Sequence, residues 1–402
     1  MESEASNVPS NLNMTIPIPS VELVSEILSR LPVKFLLKFR SVSKSWLSLI
    51  SSSEFIKNHL NLSANNKEDT HHVLILDVGG GKWNYKGFPL KSLFYDSVTE
   101  PLELDFPIEK NNHWHYVKGS CNGLVYLSDY CLEYSLLWNP TTRKHKDLPP
   151  FRPRAKKTEP AFGFGYDELH DDYKVVIISY NYTIRTSDDI EVKVYSLKSD
   201  SWTSVDYCDE GIFFIKKSPG YCGEILIDNG FLGGKLYWGT SISDPNPNVH
   251  NSRNIMAFDL ANEKWEKVEE PSYGERETEL LVGKLGSDLC VFIDYKTIHI
   301  GVWVMKEYEV KESWINMFTI PYPNDPEWFP NFFMSNKGKI LSVSGATFMI
   351  YNSTDDSFRY SCVTNCHDGQ YAQFYLESLV CPLSTQGAEN AEKAHIKKSS
   401  NK

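Results

Sequence analysis

The sequence predicts an α+β chain in two parts: a short three-helix segment near the N-terminus, then an all-β ring of about six four-stranded sheets. Three observations carry this. Apolar residues between 18 and 60 recur at helical spacing. Beyond residue 70 they fall into short aromatic and β-branched runs broken by Gly, Asn, Asp and Pro. One aromatic–turn–aromatic pattern then repeats along those runs. The chain has 402 residues, 41% hydrophobic and 13% aromatic, which is ample for a large core and more than one domain.

The helices come first. Ser20 is placed to cap one, with Glu22 in its first turn near the positive end of the dipole. Leu23, Val24, Ile27, Leu28 and Leu31 follow, and Pro32 stops it. Phe35, Leu36 and Phe39 form a second stripe. Trp46, Leu47, Leu49 and Ile50 form a third that fades into 54–60. Residues 31–50 hold Lys34, Lys38, Arg40 and Lys44 and no acid, in a chain with 52 acids against 41 bases and a net charge of -11. Helices this short are marginal alone in water. Apolar residues on more than one helix face leave surface to be covered, by a partner or by the rest of the chain. On spacing alone, core outweighs interface for such a stripe.

The β region repeats. Tyr95 is matched with Leu102, Trp138 with His145, Tyr195 with Trp202, Phe258 with Trp265 and Tyr351 with Phe358, always across a turn-rich stretch. Trp303 has Trp314, with an insertion between them. Each unit reads as a hairpin with an aromatic on one strand and usually another opposite. A second hairpin precedes most units, with turns at 121–123, 168–172, 233–235, 285–288 and 336–338. The first aromatics stand at 95, 138, 195, 258, 303 and 351, near the period of roughly 50 residues of four-stranded blades. Closing the ring protects the sheet edges.

The order and identity of the N-terminal residues resemble a plant F-box. Ile18-Pro19, Leu23, Glu26-Ile27-Leu28, Arg30-Leu31-Pro32-Val33-Lys34, the run from Leu37 to Trp46 and Leu49-Ile50 carry the resemblance, with Phe35 where serine is common. It implies docking on a Skp-type adaptor that joins cullin and RING subunits in a ubiquitin ligase. Carried over by position, Pro19, Ile27, Leu28, Leu31, Pro32, Val42 and Trp46 stand at or beside the adaptor interface. The blades in turn resemble kelch repeats. WNPTTRKHKDLP from Trp138, FGFGYDELHDDYKVV from Phe162 and YLESLV from Tyr375 are similar to the F-box-associated domain of plants. The resemblance divides the chain into a polar tail at 1–16, an F-box at 17–62, a kelch-like propeller at 71–382 and a polar tail at 383–402, with both tails expected to be disordered. YLESLV is expected to supply the strand that closes the first blade.

Longer, irregular connections at 79–89, 108–115, 149–160, 206–223, 240–253, 269–278 and 321–331 are expected on one face of the ring. Variable loops on a rigid scaffold are the usual place for recognition. Trp83, Tyr85, His113, Trp114, Arg152, Arg154, Lys156, Lys157, Trp328 and Phe329 fall in them, and exposed aromatics and Arg anchor interfaces. The 149–160 connection carries Arg152, Arg154, Lys156 and Lys157 against Glu159, a cluster that would steer an acidic or phosphorylated partner or else pair with acids on neighbouring blades.

Other classes are disfavoured. The acidic balance argues against nucleic acid. No apolar run reaches the roughly 18 residues of a membrane span. The polar first residues lack a signal peptide's apolar stretch, so a cytoplasmic or nuclear protein with eight free thiols is expected. Gly79-Gly80-Gly81-Lys82 lacks phosphate-loop spacing, and Gly163-Phe164-Gly165 lacks the third glycine of a dinucleotide loop. Cys362, Cys366 and His367 form at most half a zinc site, so no metal or cofactor is expected. No nucleophile motif shows, and a non-catalytic receptor that captures a protein substrate is the leading reading. The alternative is a propeller enzyme or plain scaffold whose helices are an oligomerisation arm.

Overall fold

The computed structural model describes residues 20–79, 82–107, 115–129, 131–154, 160–179, 190–207, 213–214, 231–242, 252–274, 279–285, 287–295, 299–321, 331–335, 338–344, 347–366 and 369–383. The chain divides into two compact units, Met1–Leu62 and Ser63–Lys402.

In the first unit, helices α1 (Val21–Ser29), α2 (Val33–Phe39) and α3 (Lys44–Ser51) follow one another, and α4 (Ser53–Asn65) spans the boundary. Caps set their starts. The Ser20 hydroxyl accepts from the Leu23 N–H at 3.3 Å, Ser43 from Trp46 at 3.1 Å and Ser52 from Phe55 at 3.2 Å. Each such cap contributes about 1 kcal/mol. The backbone in that first turn and the Ser20 hydroxyl hold the Glu22 carboxyl below its ordinary range. Pro32 separates α1 from α2, as its missing N–H and fixed φ allow at a helix start. The expected third helix is two, because the Ser52 cap ends α3 in extended backbone and starts α4. Leu28, Val33, Leu36, Ile50 and Phe55 are buried, and His59 Nε2 lies 2.8 Å from the Leu31 carbonyl oxygen.

The second unit is a six-bladed propeller. Blade 1 orders Gly369–Leu376, His71–Gly79, Lys82–Pro89 and Leu102–Glu103. Blade 2 is Tyr116–Cys121, Leu124–Ser128, Ser135–Asn139 and Lys144–Asp147; blade 3 is Ala161–Asp167, Asp172–Ser179, Glu191–Ser196 and Ser201–Val205. Blade 4 is Phe213–Phe214, Lys235–Ile242, Ser252–Asp259 and Lys264–Val268; blade 5 is Glu279–Leu285, Asp288–Asp294, His299–Met305 and Trp314–Pro321. Blade 6 is Asn331–Met334, Lys339–Ser344, Thr347–Asn352 and Ser357–Val363, with Val98–Thr99 added in parallel as a fifth strand. Contacts between first strands of neighbouring blades put them around the axis, with the fourth strands at the rim. The second strand of blade 2, Leu124–Ser128, is buried at every position, because other blades cover both faces.

The repeated aromatics are cross-strand partners as expected in four blades: Trp138 with His145, Tyr195 with Trp202, Phe258 with Trp265, Tyr351 with Phe358. The turns between them share one chemistry. Asn139 Oδ1 accepts from the Thr141 and Thr142 N–H groups, and Asp259 Oδ1 from Ala261 and Asn262. The chain then enters the left-handed region at Arg143, Asp200, Glu263 and Asp356. That sequence of an Asx turn and one left-handed residue makes a hairpin loop matched to strand twist. The Tyr351 hydroxyl donates to Asp356 of its own turn at 2.6 Å, and burial followed by that carboxylate pushes its pKa up to about 12.

Four expectations are corrected. Tyr95 ends a helix, α5 (Leu90–Tyr95), inserted between the third and fourth strands of blade 1, so that blade has no Tyr95–Leu102 pair. Trp303 faces Asn316, and Trp314 faces Met305, because a bulge shifts the register there. Instead of completing the hairpin pair, the Trp314 indole donates to the Glu269 carbonyl at 2.9 Å, as Trp202 does to Pro149 at 2.8 Å, tying each rim strand to the segment that leaves the preceding blade. The closing strand of blade 1 is Gly369–Leu376, so only Tyr375 and Leu376 of YLESLV lie in it. The 79–89 connection is mostly the strand Lys82–Pro89, which buries Tyr85.

Glycine decides one contact between blades. A Cβ on Gly163 would stand 2.6 Å from Leu236 Cδ1, and one on Gly165 2.5 Å from Phe231. The Gly163-Phe164-Gly165 run is therefore a place where the first strand of blade 3 meets blade 4 closely.

Asn139 joins the ring's ends. Fully buried, its Nδ2 donates to the carbonyls of Ser378 at 3.1 Å and Val380 at 2.8 Å while Oδ1 holds its turn. Asn139→Ala is expected to lower the unfolding free energy by about 3 kcal/mol, since several buried polar groups lose partners. A loss under about 1 kcal/mol in urea melts would refute this role. Lys174 Nζ lies 3.1 Å from Asp167 in blade 3 and 3.2 Å from Glu263 in blade 4. Burial alone would raise the Asp167 pKa; hydrogen bonds from His170 and the charge of Lys174 outweigh it and hold it low. Its stabilising contribution is present above the ordinary carboxylate pKa of about 3.9 and is lost as pH falls through the lower folded value. Asp167→Asn should therefore be less stable at neutral pH and decline less steeply in acid. Parallel acid limbs for both proteins would contradict it.

Candidate functional site

Two surfaces are candidates, each within its own unit. In the helical unit the apolar residues sort onto two sides. Leu28 is buried, Leu31 and Trp46 are half-buried, and Pro32 is exposed at the start of α2. The Trp46 ring packs edge-on against Phe39 with centroids 5.5 Å apart. Ile27 and Val42 remain 55% and 60% exposed. Val21, Leu23 and Phe35 are exposed as well, and sequence reasoning did not single them out as site residues. Leu23 and Ile27, four apart on one face of α1, are the available signal; Leu28, one residue on, points to the interior. Pro19 lies outside the described residues.

In the propeller, antiparallel pairing puts the connections between second and third strands, and those between blades, at one end of every strand, which is the face expected for recognition. Of the residues singled out there, His113, Trp114, Lys156, Lys157, Trp328 and Phe329 lie outside the described residues. Trp83 is placed on the third strand of blade 1, opposite Val78. Tyr85 packs inward, 5.9 Å from the Trp138 ring, and donates to the His115 carbonyl. Arg152 Nη2 is 3.6 Å from Glu133 Oε1. The Arg154 backbone N–H donates to Glu191 Oε2 at 3.1 Å, with Nε 3.4 Å from Oε1. Both arginine side chains are exposed, where such pairs contribute roughly 0–1 kcal/mol and a partner can displace them.

The deep polar groups are structural. Lys86 and Asp77 form a buried pair at 2.6 Å in blade 1. Burial pushes the Cys290 thiol far up, away from a reactive thiolate. Among the described residues no group of three or more His, Cys, Asp or Glu side chains could hold a metal ion, and no helix is long and apolar enough to cross a membrane.

A helical module with exposed apolar side chains, followed by a six-bladed propeller, defines a class of two-part proteins. Residues 20–58 match the F-box domain and residues 93–381 match the F-box associated beta propeller domain. The chain belongs to the F-box-associated propeller family. Among its relatives is the F-box protein CPR1 of Arabidopsis thaliana, 29% identical over 388 residues that cover 91% of this chain and 89% of that one. An F-box/kelch-repeat protein of the same plant is 29% identical over 375 residues, covering 90% and 95%.

The two sides of α1 are separable by mutation. Leu28→Ala should destabilise the helical unit by about 2–5 kcal/mol. Ile27→Ala should change it by no more than about 0.5 kcal/mol. Hydrogen exchange of amides in 21–60 reads this directly, and equal losses in protection would show that Ile27 is also core.

Proposed function

We propose that this protein is the substrate-recognition subunit of a Skp-cullin-F-box ubiquitin ligase. The observation that carries the reading is the exposed apolar set Val21, Leu23, Ile27, Phe35 and Val42, on a module that matches the F-box. Surface of this kind calls for a partner, and in this family the partner is a Skp-type adaptor. The propeller offers a rigid ring with its longer connections gathered at one end, which suits capture of a protein substrate. The role is positional. Holding a substrate in the same assembly as a charged ubiquitin-conjugating enzyme makes transfer to its lysines effectively intramolecular. Catalysis then belongs to other subunits, cullin and RING proteins are reached through the adaptor, and the complex works in the cytoplasm or nucleus.

Ile27→Lys combined with Val42→Lys tests the docking step, since both side chains are already in water and the fold should tolerate the change. Two charges in an apolar interface should weaken capture of a purified Skp-type adaptor by at least about a hundredfold while the propeller melts as before. Undiminished capture would reject the assignment.

A further inference from the structure

The fourth strand of each blade is a sheet edge, and an open edge is a template for another strand. Most of these edges are guarded. Lys144–Asp147 and Lys264–Val268 carry lysines and acids, and Leu102–Glu103 is only two residues long. Val98–Thr99 covers part of Ser357–Val363, and Ser201–Val205 exposes Ser201, Thr203 and Ser204. Trp314–Pro321 of blade 5 differs: it has eight residues, no charge, and no strand on its outer side among the described residues. Trp314 is tied back to Glu269, which leaves 315–321 as the open run. Ile315 and Met317 on it, and Tyr308 and Val310 in the turn before it, are 38–45% exposed.

We propose that this edge receives an extended segment of a partner protein, one with alternating apolar side chains and a Lys or Arg where it meets the turn at 306–313. Cross-strand rows carry the apolar part. Cys290, Val304 and Ile315 stand in one row and Phe292, Val302 and Phe318 in another. The inner two of each row lie in the cluster between blades 5 and 6, and Phe318 packs against it, whereas Ile315 at the outer end is 45% exposed. An added strand would lengthen both rows and cover Ile315. Blade 6 already holds a fifth strand, Val98–Thr99. The bulge at Met317 twists the edge, so one short segment fits where a flat stack of strands would not. Charge chooses the partner. Glu307, Glu309 and Glu312 are exposed in the turn, while its lysines are engaged, Lys306 by Asp288 at 2.7 Å and Lys311 by Glu269 at 3.2 Å. An acidic turn favours a basic segment over a second copy of a chain whose net charge is -11. The contact uses none of the residues assigned to adaptor docking or to the loop-bearing end.

Fluorescence anisotropy of a labelled peptide with the full chain tests this. The probe has the length of the strand, alternates Thr and Val, and carries a lysine at each end, so that either direction of pairing sets one beside the turn. It should bind saturably with a Kd below about 1 mM, and the same peptide with glutamate at each end at least about tenfold more weakly. Ile315→Lys and Met317→Lys, at side chains already in water, should each weaken the lysine probe by at least about tenfold, while Thr203→Lys on the rim of blade 3 should leave it unchanged. Glu307→Gln with Glu309→Gln should bring the two probes to equal affinity, and this pair decides the matter if neither lysine variant melts like wild type. The absence of saturable binding overturns the proposal. So does equal affinity of the two probes for the wild-type chain, or a Kd that neither lysine variant changes. A dimer in sedimentation that Met317→Lys abolishes overturns it too, since the edge would then belong to a second copy.

Discussion

The ring is closed by one sheet that combines early and late parts of the propeller sequence. In it Gly369–Leu376 lies antiparallel to His71–Gly79, and the remaining architecture depends on this pairing. Tyr375 and Phe374, on that strand, belong to two different apolar clusters, one shared with blade 2 and one with blade 6. The residues just beyond it are held by Asn139, whose own turn belongs to blade 2. One short segment therefore fixes the distance between three blades, and losing it would open two clusters together.

The same logic runs around the ring on a smaller scale. Val176, Val194, Leu236 and Phe258 join blades 3 and 4; Cys290, Val302, Ile340 and Tyr351 join blades 5 and 6. Each blade buries both faces against neighbours, so specificity of contact is concentrated in a few polar ties and glycine approaches. Lys174 bridges carboxylates on two blades, and the Trp202 and Trp314 indoles reach back to the preceding segment. With the ring fixed in this way, the loop-bearing end can vary without disturbing the core.

Much of this was legible in the sequence. The strand pairs around Trp138, Tyr195, Phe258 and Tyr351 could be read because aromatic partners face each other across a turn of constant length. Tyr95 misled because an aromatic at the right interval carries no mark of whether its backbone is helical, and α5 there replaces a turn. Trp314 misled because a bulge moves a register without changing composition. At the helical site, sequence gave the apolar residues but could not sort Leu28 from Ile27, since both are aliphatic and adjacent on α1. Only packing separates them.

The fifth strand of blade 6 has a consequence in time. Val98–Thr99, from the early part of the propeller sequence, lies on Cys362–Val363 at the rim, while Gly369–Leu376 returns to blade 1 near the axis. Both ties across this seam join early residues to very late ones. During synthesis neither can form until nearly the whole chain has emerged, so blades 2 to 5 can assemble in order while the first must wait, unfinished, with its edge unpaired. The seam between blades 6 and 1 is thus the last part of the ring to be made, and a chain truncated before Gly369 would leave the edge of His71–Gly79 open to association with other chains.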